Sequence, residues 1–184
     1  MPGLTRRLGR AAAGWVLTLG LVGLAVHPER CGTVTDTDLR LAAERAVGWF
    51  AANIDDDGDF LYRYDRDRAV VEPGYNDVRH AGVLWSLWQA ASAGIPGAAE
   101  TAEAGFARVE RRLVDTVVGP AVGSGETLES GTVGLLVAAL DERRAATGRT
   151  DHDELLLAFG GTLAAAVNPE GSVSADLGRT TGPG

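Results

Sequence analysis

The sequence predicts an all-α domain preceded by an apolar N-terminal segment. Apolar residues recur at helical spacing in five stretches between residues 36 and 167, and polar turns separate these stretches. A separate stretch of 16 residues near the N-terminus carries no charge. The length of 184 residues and the hydrophobic fraction of 45% suit one globular domain with a real core.

Residues 1–30 have the order of an export signal. Three arginines within the first ten residues precede the uncharged segment Ala11–Val26, which is the n-region and h-region pattern. Gly23 and Ala25 supply the small residues for cleavage after Ala25. As a helix the segment rises about 24 Å, against a hydrocarbon core of about 30 Å. We expect a secreted protein or, as the alternative, a single-pass membrane protein anchored through residues 11–26.

The charge of the chain is unevenly distributed. All 17 basic residues are arginine, and four of them lie in residues 1–30, whereas the whole chain has a net charge of −8. The rest of the chain is therefore acidic and has no basic cluster, which argues against nucleic-acid binding. Cys31 is the single cysteine, so neither an internal disulfide nor a cysteine-based metal site is expected.

Five stretches of helical periodicity predict the helices of the domain. They run from Asp36 or Thr37 to about Asn53, from Asn76 to Ala93, from Ala98 to Val117, from Ser130 to Ala146 and from Asp151 to Val167. Thr150 or Asp151 is expected to cap the last of them. The fourth helix is apolar on nearly all sides from Val133 to Leu140, so we expect it to be deeply buried.

The connections between the helices contain turn residues and one strand pair. Phe60–Tyr64 alternates like a short strand, and Ala69–Val71 can return as its partner, which predicts a β-hairpin. Gly119–Gly125 is expected to be a glycine-rich loop. The helical domain is expected to span residues 36–173, and the small, polar residues 174–184 are expected to form a flexible tail.

The turn after the first predicted helix has a partial calcium-loop pattern. Asn53, Asp55, Asp57 and Gly58 match the first, third, fifth and sixth positions of an EF-hand loop. The twelfth position is Tyr64, where a bidentate glutamate is required, and a strand rather than a helix follows. An ordinary turn is therefore favoured, and we expect no metal and no cofactor.

Two stretches carry a resemblance to a known family. Trp49–Asp65 reads WFAANIDDDGDFLYRYD, a helix end, a DG turn and an aromatic strand, and Tyr75–Leu87 reads YNDVRHAGVLWSL and opens the next helix. With Gly131–Leu136 and Asn168–Val173, these stretches resemble bacterial proteins of the six-hairpin, α/α-toroid superfamily. The resemblance covers roughly Asp36–Val173. It implies helical hairpins of an incomplete α/α toroid, because a complete toroid has more helices than the sequence predicts here.

The resemblance also implies a class of function. The superfamily includes glycosidases, lyases and sugar epimerases, together with members that have no established activity. It therefore implies an extracytoplasmic protein that binds or modifies a glycan or cell-envelope polysaccharide, as a hydrolase or epimerase. One alternative is a non-catalytic, membrane-anchored helical module that binds a glycan or another protein. A truncated, inactive relative is another, and an incomplete toroid can complete its core by self-association.

The candidate site lies at the start of the second predicted helix. In α/α toroids the cavity opens at one end of the inner helices, so the resemblance implies that this segment lines a glycan-sized cleft. Tyr75, Asn76 and Arg79 are the candidate substrate-binding residues, since aromatic rings stack on sugars and polar groups bind hydroxyls. Asp77 and His80 are the candidate catalytic residues, because a carboxylate and an imidazole can transfer protons.

A glycosidase with paired carboxylates needs a second acid at about 5–10 Å from the first. The start of the fourth helix suggests Glu126 or Glu129 as the acid that faces Asp77. Glu126, in the loop Gly123–Glu126, is the candidate second catalytic acid and Glu129 a substrate-binding candidate, and the alternative is a solvated loop. All these residues should then share one concave surface. In the structural alternative, Asp77 pairs with Arg79, and His80 is a half-buried histidine with its hydrogen bonds satisfied.

Overall fold

The computed structural model describes residues 14–23, 32–123 and 127–178 of the chain. These residues form six helices, and 57% of them are helical, which confirms the prediction of a mainly helical protein. Contacts between Cα atoms divide the chain into two units, Met1–Asp36 and Thr37–Gly184. The two units are described separately.

The first unit contains helix α1, residues 14–23, and all ten of these residues are exposed. They lie inside the apolar segment 11–26, and the remaining residues of that segment lie outside the described part of the chain. None of the helices in the described ranges combines the length and the apolarity that a membrane span needs. Export and anchoring therefore stay predictions.

Five helices follow: α2 (Asp36–Ala52), α3 (Asp77–Ser92), α4 (Ala98–Arg111), α5 (Ser130–Thr147) and α6 (Asp153–Ala165). The predicted bounds of α2, α3 and α5 agree with these within one residue. The capping residue predicted for α6 is wrong. The residue before this helix is His152, which makes no side-chain capping bond, and Asp151 instead accepts hydrogen bonds from Arg143.

The helix predicted from Ala98 to Val117 is too long. After α4 ends, β3 (Leu113–Asp115) pairs antiparallel with β4 (Pro120–Val122), so a second hairpin replaces the end of the helix and part of the predicted loop. β-Branched residues are dense here, and they favour extended backbone over helix. Gly119, with φ of 137°, adopts a conformation at the turn that side chains rarely allow.

The predicted first hairpin is confirmed in a shorter form. β1 (Tyr64–Asp65) pairs antiparallel with β2 (Val70–Val71), and Phe60 lies before the ladder in an isolated bridge with Ile54. The Asp65 carboxylate accepts the backbone N–H groups of the turn that joins the two strands. This hairpin carries Tyr64 beside the candidate site.

The core of the second unit is built on α3 and α5, which make the most extensive contact between any two of its elements. α4 packs on α3, and α6 packs on α5. No residue from Thr132 to Leu140 is exposed, which confirms the predicted burial of α5. α2 is held more loosely, since Val47 is its one buried residue while Leu39 and Trp49 are 60% and 48% exposed.

Residues 174–178 lie against the segment that leads into α5. The Leu177 amide donates to the Leu128 carbonyl at 2.9 Å, and the Ser130 amide donates to the Ala175 carbonyl at 2.9 Å. The Leu177 side chain is only 3% exposed. The prediction of a flexible tail is therefore wrong for residues 174–178, because Leu177 supplies an apolar anchor. Residues 179–184 lie outside the described part of the chain.

Candidate functional site

The aspartate-rich turn after α2 is held by its own side chains and by α4. The Asp55 carboxylate accepts the backbone N–H groups of Asp57 at 3.0 Å and Asp59 at 2.8 Å. Gly58 has φ of 78°, and a Cβ atom at this position would lie 2.5 Å from the Ala104 carbonyl oxygen. Within the described ranges, no cluster of His, Cys, Asp and Glu side chains is arranged to hold a metal ion.

A buried arginine on α4 organises the site. Arg108 is 3% exposed and forms ion pairs with Asp59 and Asp77. Its Nε and Nη2 atoms donate to Asp77 Oδ1 at 3.1 and 2.9 Å. Its guanidinium lies 3.8 Å from the centroid of the Tyr75 ring. Burial acts to lower the pKa of Arg108, but the two carboxylates raise it overall, so the guanidinium stays charged.

His80 is part of a hydrogen-bonded chain that joins the turn, α3 and α4. The Phe60 amide donates to the Tyr75 hydroxyl at 3.0 Å, and the hydroxyl lies 2.8 Å from His80 Nδ1. His80 Nε2 lies 3.0 Å from the Gly105 carbonyl oxygen, so the hydrogen bonds assign the proton to Nε2 and the acceptor role to Nδ1. Both ring nitrogens are therefore engaged within the protein.

Burial keeps the side chains of His80 and Tyr75 neutral. It lowers the pKa of His80 to about 4, with a smaller contribution from the nearby Arg108 cation. It also raises the pKa of Tyr75 to about 12. Proton transfer to a substrate by His80 would require displacement of one of its two partners. The hydrogen bonding of His80 thus matches the structural alternative, although its ring is buried more deeply than that alternative implied.

A glycine allows α4 to approach this chain. A Cβ atom on Gly105 would lie 2.7 Å from Cζ of Phe60 and 2.9 Å from Cδ2 of Leu84. The ring of Phe60 also lies 5.2 Å from the His80 ring, centroid to centroid. The missing side chain at position 105 thus lets an aromatic ring and an imidazole pack directly on the helix backbone.

Two adjoining cavities open beside these residues. The first, here called the small pocket, has a volume of about 180 Å³ and is lined by Phe50, Phe60, Leu61, Tyr62, Tyr75, Asn76, Arg79, His80 and Val83. The second, here called the large groove, has a volume of about 600 Å³ and is lined by Asn53, Ile54, Asp55, Asp59, Phe60, Leu61, Tyr62, Tyr64, Val71, Glu72, Gly74 and Tyr75. The two cavities share four lining residues, including Tyr62 and Tyr75.

The structure brings four of the predicted site residues together. Tyr75, Asn76, Arg79 and His80 all line the small pocket. Asn76 is also the N-cap of α3, since its side-chain oxygen accepts the Arg79 amide at 2.7 Å. Arg79 places its guanidinium 5.4 Å from the centroid of the Tyr62 ring. These four residues form one face of the candidate site.

The other three predicted residues lie elsewhere or are not described. Asp77 pairs with Arg108 rather than with Arg79, and it does not line either cavity. Glu129 lines a separate cavity of about 250 Å³ near Asp176, so the expected single concave surface does not include it. Its backbone is held there by a bridge to Asp176. Glu126 lies outside the described residues.

Two residues that anchor the site, Arg108 of α4 and Asp59 of the turn after α2, were not predicted from the sequence. Arg108 follows Gly105 by three residues and Thr101 by seven, so it falls on the buried stripe of α4. An arginine in such a stripe was an available signal for a buried ion pair. Its partner Asp59 gave no comparable signal within a run of exposed aspartates.

Comparison of the chain with protein-family models and with curated proteins finds no match. The resemblance to α/α-toroid proteins therefore stays a prediction, and so do the activities that it implies. A functional proposal for this protein rests on the chemistry of the small pocket and the large groove.

Proposed function

We propose that this protein is an extracytoplasmic helical domain that binds a glycan in the small pocket and the large groove. The main support for this proposal is that three tyrosines line these two adjoining cavities, Tyr62, Tyr64 and Tyr75. Aromatic faces stack on the apolar faces of sugar rings, and the polar groups beside them bind hydroxyls. Tyr64 is 52% exposed, so its ring is accessible to a ligand.

The geometry favours binding over cleavage of the glycan. Both nitrogens of His80 are engaged by Tyr75 and Gly105, and the Asp77 carboxylate is engaged by Arg108. A glycosidase needs one protonated and one ionised carboxyl group facing the same bond. Among the described residues that line the large groove, Asp59 is also committed to Arg108. A non-catalytic binding module is therefore the form of the proposal that these contacts support best.

The packing of the second unit is compatible with part of an α/α toroid. α3 and α5 form the central pair, and α4 and α6 pack on their respective partners as outer helices would. The small pocket lies at the N-terminal end of α3, which is where the toroid resemblance locates the cavity. An incomplete toroid is accordingly part of the proposal.

The extracytoplasmic location rests on residues 1–30, with arginines followed by an uncharged segment. A fusion of residues 1–40 to a reporter that is active only outside the cytoplasm tests it. An active reporter supports export. A reporter that stays in the cytoplasm contradicts it, and mass measurement of the mature chain separates cleavage from anchoring.

Glycan binding is tested with the purified domain on an array of cell-envelope and plant polysaccharides, followed by calorimetry on the best oligosaccharide. Tyr64→Ala is expected to weaken binding by about five- to tenfold, because it removes a stacking ring worth roughly 1 kcal/mol. Tyr64→Phe keeps the ring and should stay within about twofold of the wild type. Product analysis of the same mixtures reports any turnover.

Val70→Ala is the matched control for this experiment. Val70 lies on the partner strand of the same hairpin, is 47% exposed and lines neither cavity. It should leave the affinity unchanged. Absence of glycan binding by the wild type would refute the proposal. Equal losses of affinity in Tyr64→Ala and Val70→Ala would indicate that the glycan binds outside the large groove.

A further inference from the structure

The polar groups of the small pocket are not equally free to meet a ligand. The Tyr75 hydroxyl and the His80 ring are engaged with each other and with backbone groups. The Asn76 side-chain oxygen accepts the Arg79 amide, which leaves the NH₂ group of Asn76 as a donor. The Arg79 side chain is on an exposed residue and lies against the Tyr62 ring. The free side-chain nitrogens of this pocket, on Asn76 and Arg79, are therefore donors.

No acidic residue lines the small pocket within the described part of the chain. Arg79 also makes no ion pair with any carboxylate among the described residues, because its neighbour Asp77 is bound to Arg108. A guanidinium offers five N–H donors in a fixed planar fork that matches a carboxylate. The pocket thus combines an aromatic floor with a cation that has no anionic partner among the described residues.

The large groove has the opposite chemistry. Asp55, Asp59 and Glu72 line it, and no arginine does so among the described residues. The arginine that pairs with Glu72 is Arg63, which directly precedes β1. A ligand that crosses both cavities therefore meets carboxylates in the large groove and a guanidinium in the small pocket.

We infer that the small pocket binds a uronic acid residue of the glycan, with the sugar carboxylate paired to the Arg79 guanidinium and the Asn76 amide. This inference rests on the proposed glycan binding and names the class of sugar. The volume of about 180 Å³ suits one sugar ring rather than a chain, and the ring lies against Tyr62 and Tyr75. We expect the neighbouring sugar, in the large groove, to be neutral, because Asp55 would repel an acid group, whereas Asp59 and Glu72 are already paired with arginines.

The net charge of −8 does not oppose this arrangement strongly. Exposed charges beyond roughly 10 Å are screened at ordinary ionic strength, whereas a carboxylate in the small pocket lies within hydrogen-bonding distance of Arg79. Charge-assisted, bidentate bonds between a guanidinium and a carboxylate are among the strong polar contacts of proteins. The contact between Arg79 and the sugar carboxylate therefore determines the preference for an acidic sugar.

Calorimetry on the full-length protein compares its affinities for matched pairs of oligosaccharides. Each pair holds one uronate-containing oligosaccharide, from pectin, alginate or hyaluronan, and its carboxyl-reduced form. We expect the acid form of at least one pair to bind about tenfold tighter than the reduced form, as the loss of one charge-assisted pair implies. Arg79→Gln should abolish this ratio, chiefly by lowering the affinity for the acid form.

Arg66→Gln is the control that changes the net charge by the same amount. Its side chain is 92% exposed in the turn of the first hairpin and lines neither cavity. It should keep the tenfold ratio. If reduced and acid forms bind equally, or if Arg66→Gln lowers the ratio as much as Arg79→Gln, the uronate inference is wrong while glycan binding stands. If no oligosaccharide of either form binds, both proposals fail.

Discussion

At the scale of single residues, Arg108 and His80 are two buried ionisable residues beside the site. Arg108 is 3% exposed, but its partners Asp59 and Asp77 keep 28% and 21% of their side-chain surface exposed. The carboxylates therefore retain part of their hydration, which lowers the cost of burying the ion pairs. His80 avoids that cost by staying neutral, with both nitrogens bonded.

The neutral state of His80 makes the stability of the domain depend on pH. The folded pKa of His80 is about 4, below the ordinary value of 6.5, so the unfolded chain binds the proton more tightly. The contribution of His80 is complete above pH 6.5 and is lost as the pH falls from 6.5 through about 4. The total loss is about 3 kcal/mol. Urea unfolding at several pH values across this window measures it.

His80→Gln should flatten this pH dependence, because glutamine does not titrate. His152→Gln is the control, since it removes the other histidine of the second unit and leaves the bonds of His80 intact. The wild-type slope of the free energy of unfolding against pH should disappear in His80→Gln and persist in His152→Gln. The opposite result in either variant would assign the pH dependence to another group.

At the scale of elements, the turn after α2 connects local chain geometry with the site. It carries Asp59 to Arg108 and Phe60 to the Tyr75 hydroxyl, while Gly58 rests on the backbone of α4. The position of this turn therefore determines the shape of both cavities. The second hairpin, residues 113–122, is likewise held against a helix, because the Thr162 hydroxyl of α6 donates to the Pro120 carbonyl at 2.9 Å.

Gly58→Ala tests the close approach between this turn and α4. Two effects add here: the backbone strain of a positive φ, about 1 kcal/mol, and a clash with the Ala104 carbonyl, about 1–3 kcal/mol. Gly94→Ala has the strain alone, since φ is 70° and no atom lies within 4 Å of the added carbon. Urea unfolding should show Gly58→Ala to be less stable than Gly94→Ala by about 1 kcal/mol or more. Equal losses of stability in the two variants would mean that the turn moves away from α4 at no cost in free energy.

At the scale of the whole second unit, α3 and α5 hold the outer elements together. Arg143 of α5 is 1% exposed and binds Glu103 of α4 and Asp151 before α6, so one guanidinium joins three parts of the unit. Its hydrogen bonds hold the pKa of Asp151 well below the usual range. The apolar contacts of α5 supply the rest of this cohesion.

Leu136→Asp should disrupt the whole second unit. Leu136 is fully buried in α5, and an unpaired carboxylate there costs about 4 kcal/mol or more, a large part of a typical domain's stability. Leu157→Asp on α6, at a side chain that is 76% exposed, should change stability by less than about 0.5 kcal/mol. Circular dichroism and thermal melts compare the two variants. A cooperative melt at the wild-type temperature for Leu136→Asp would contradict the central position of α5.

Local sequence was enough to predict the helical class, the bounds of three of the five helices, the first hairpin and the burial of α5, because each depends on neighbours within a few residues. Tertiary packing alone determines which carboxylates Arg108 binds, since Asp77 and Asp59 lie 31 and 49 residues away. It also decided that Leu177 is buried and that Glu129 lies outside the site. Periodicity identifies the face of a helix that is buried, but the partner of that face depends on how distant segments pack.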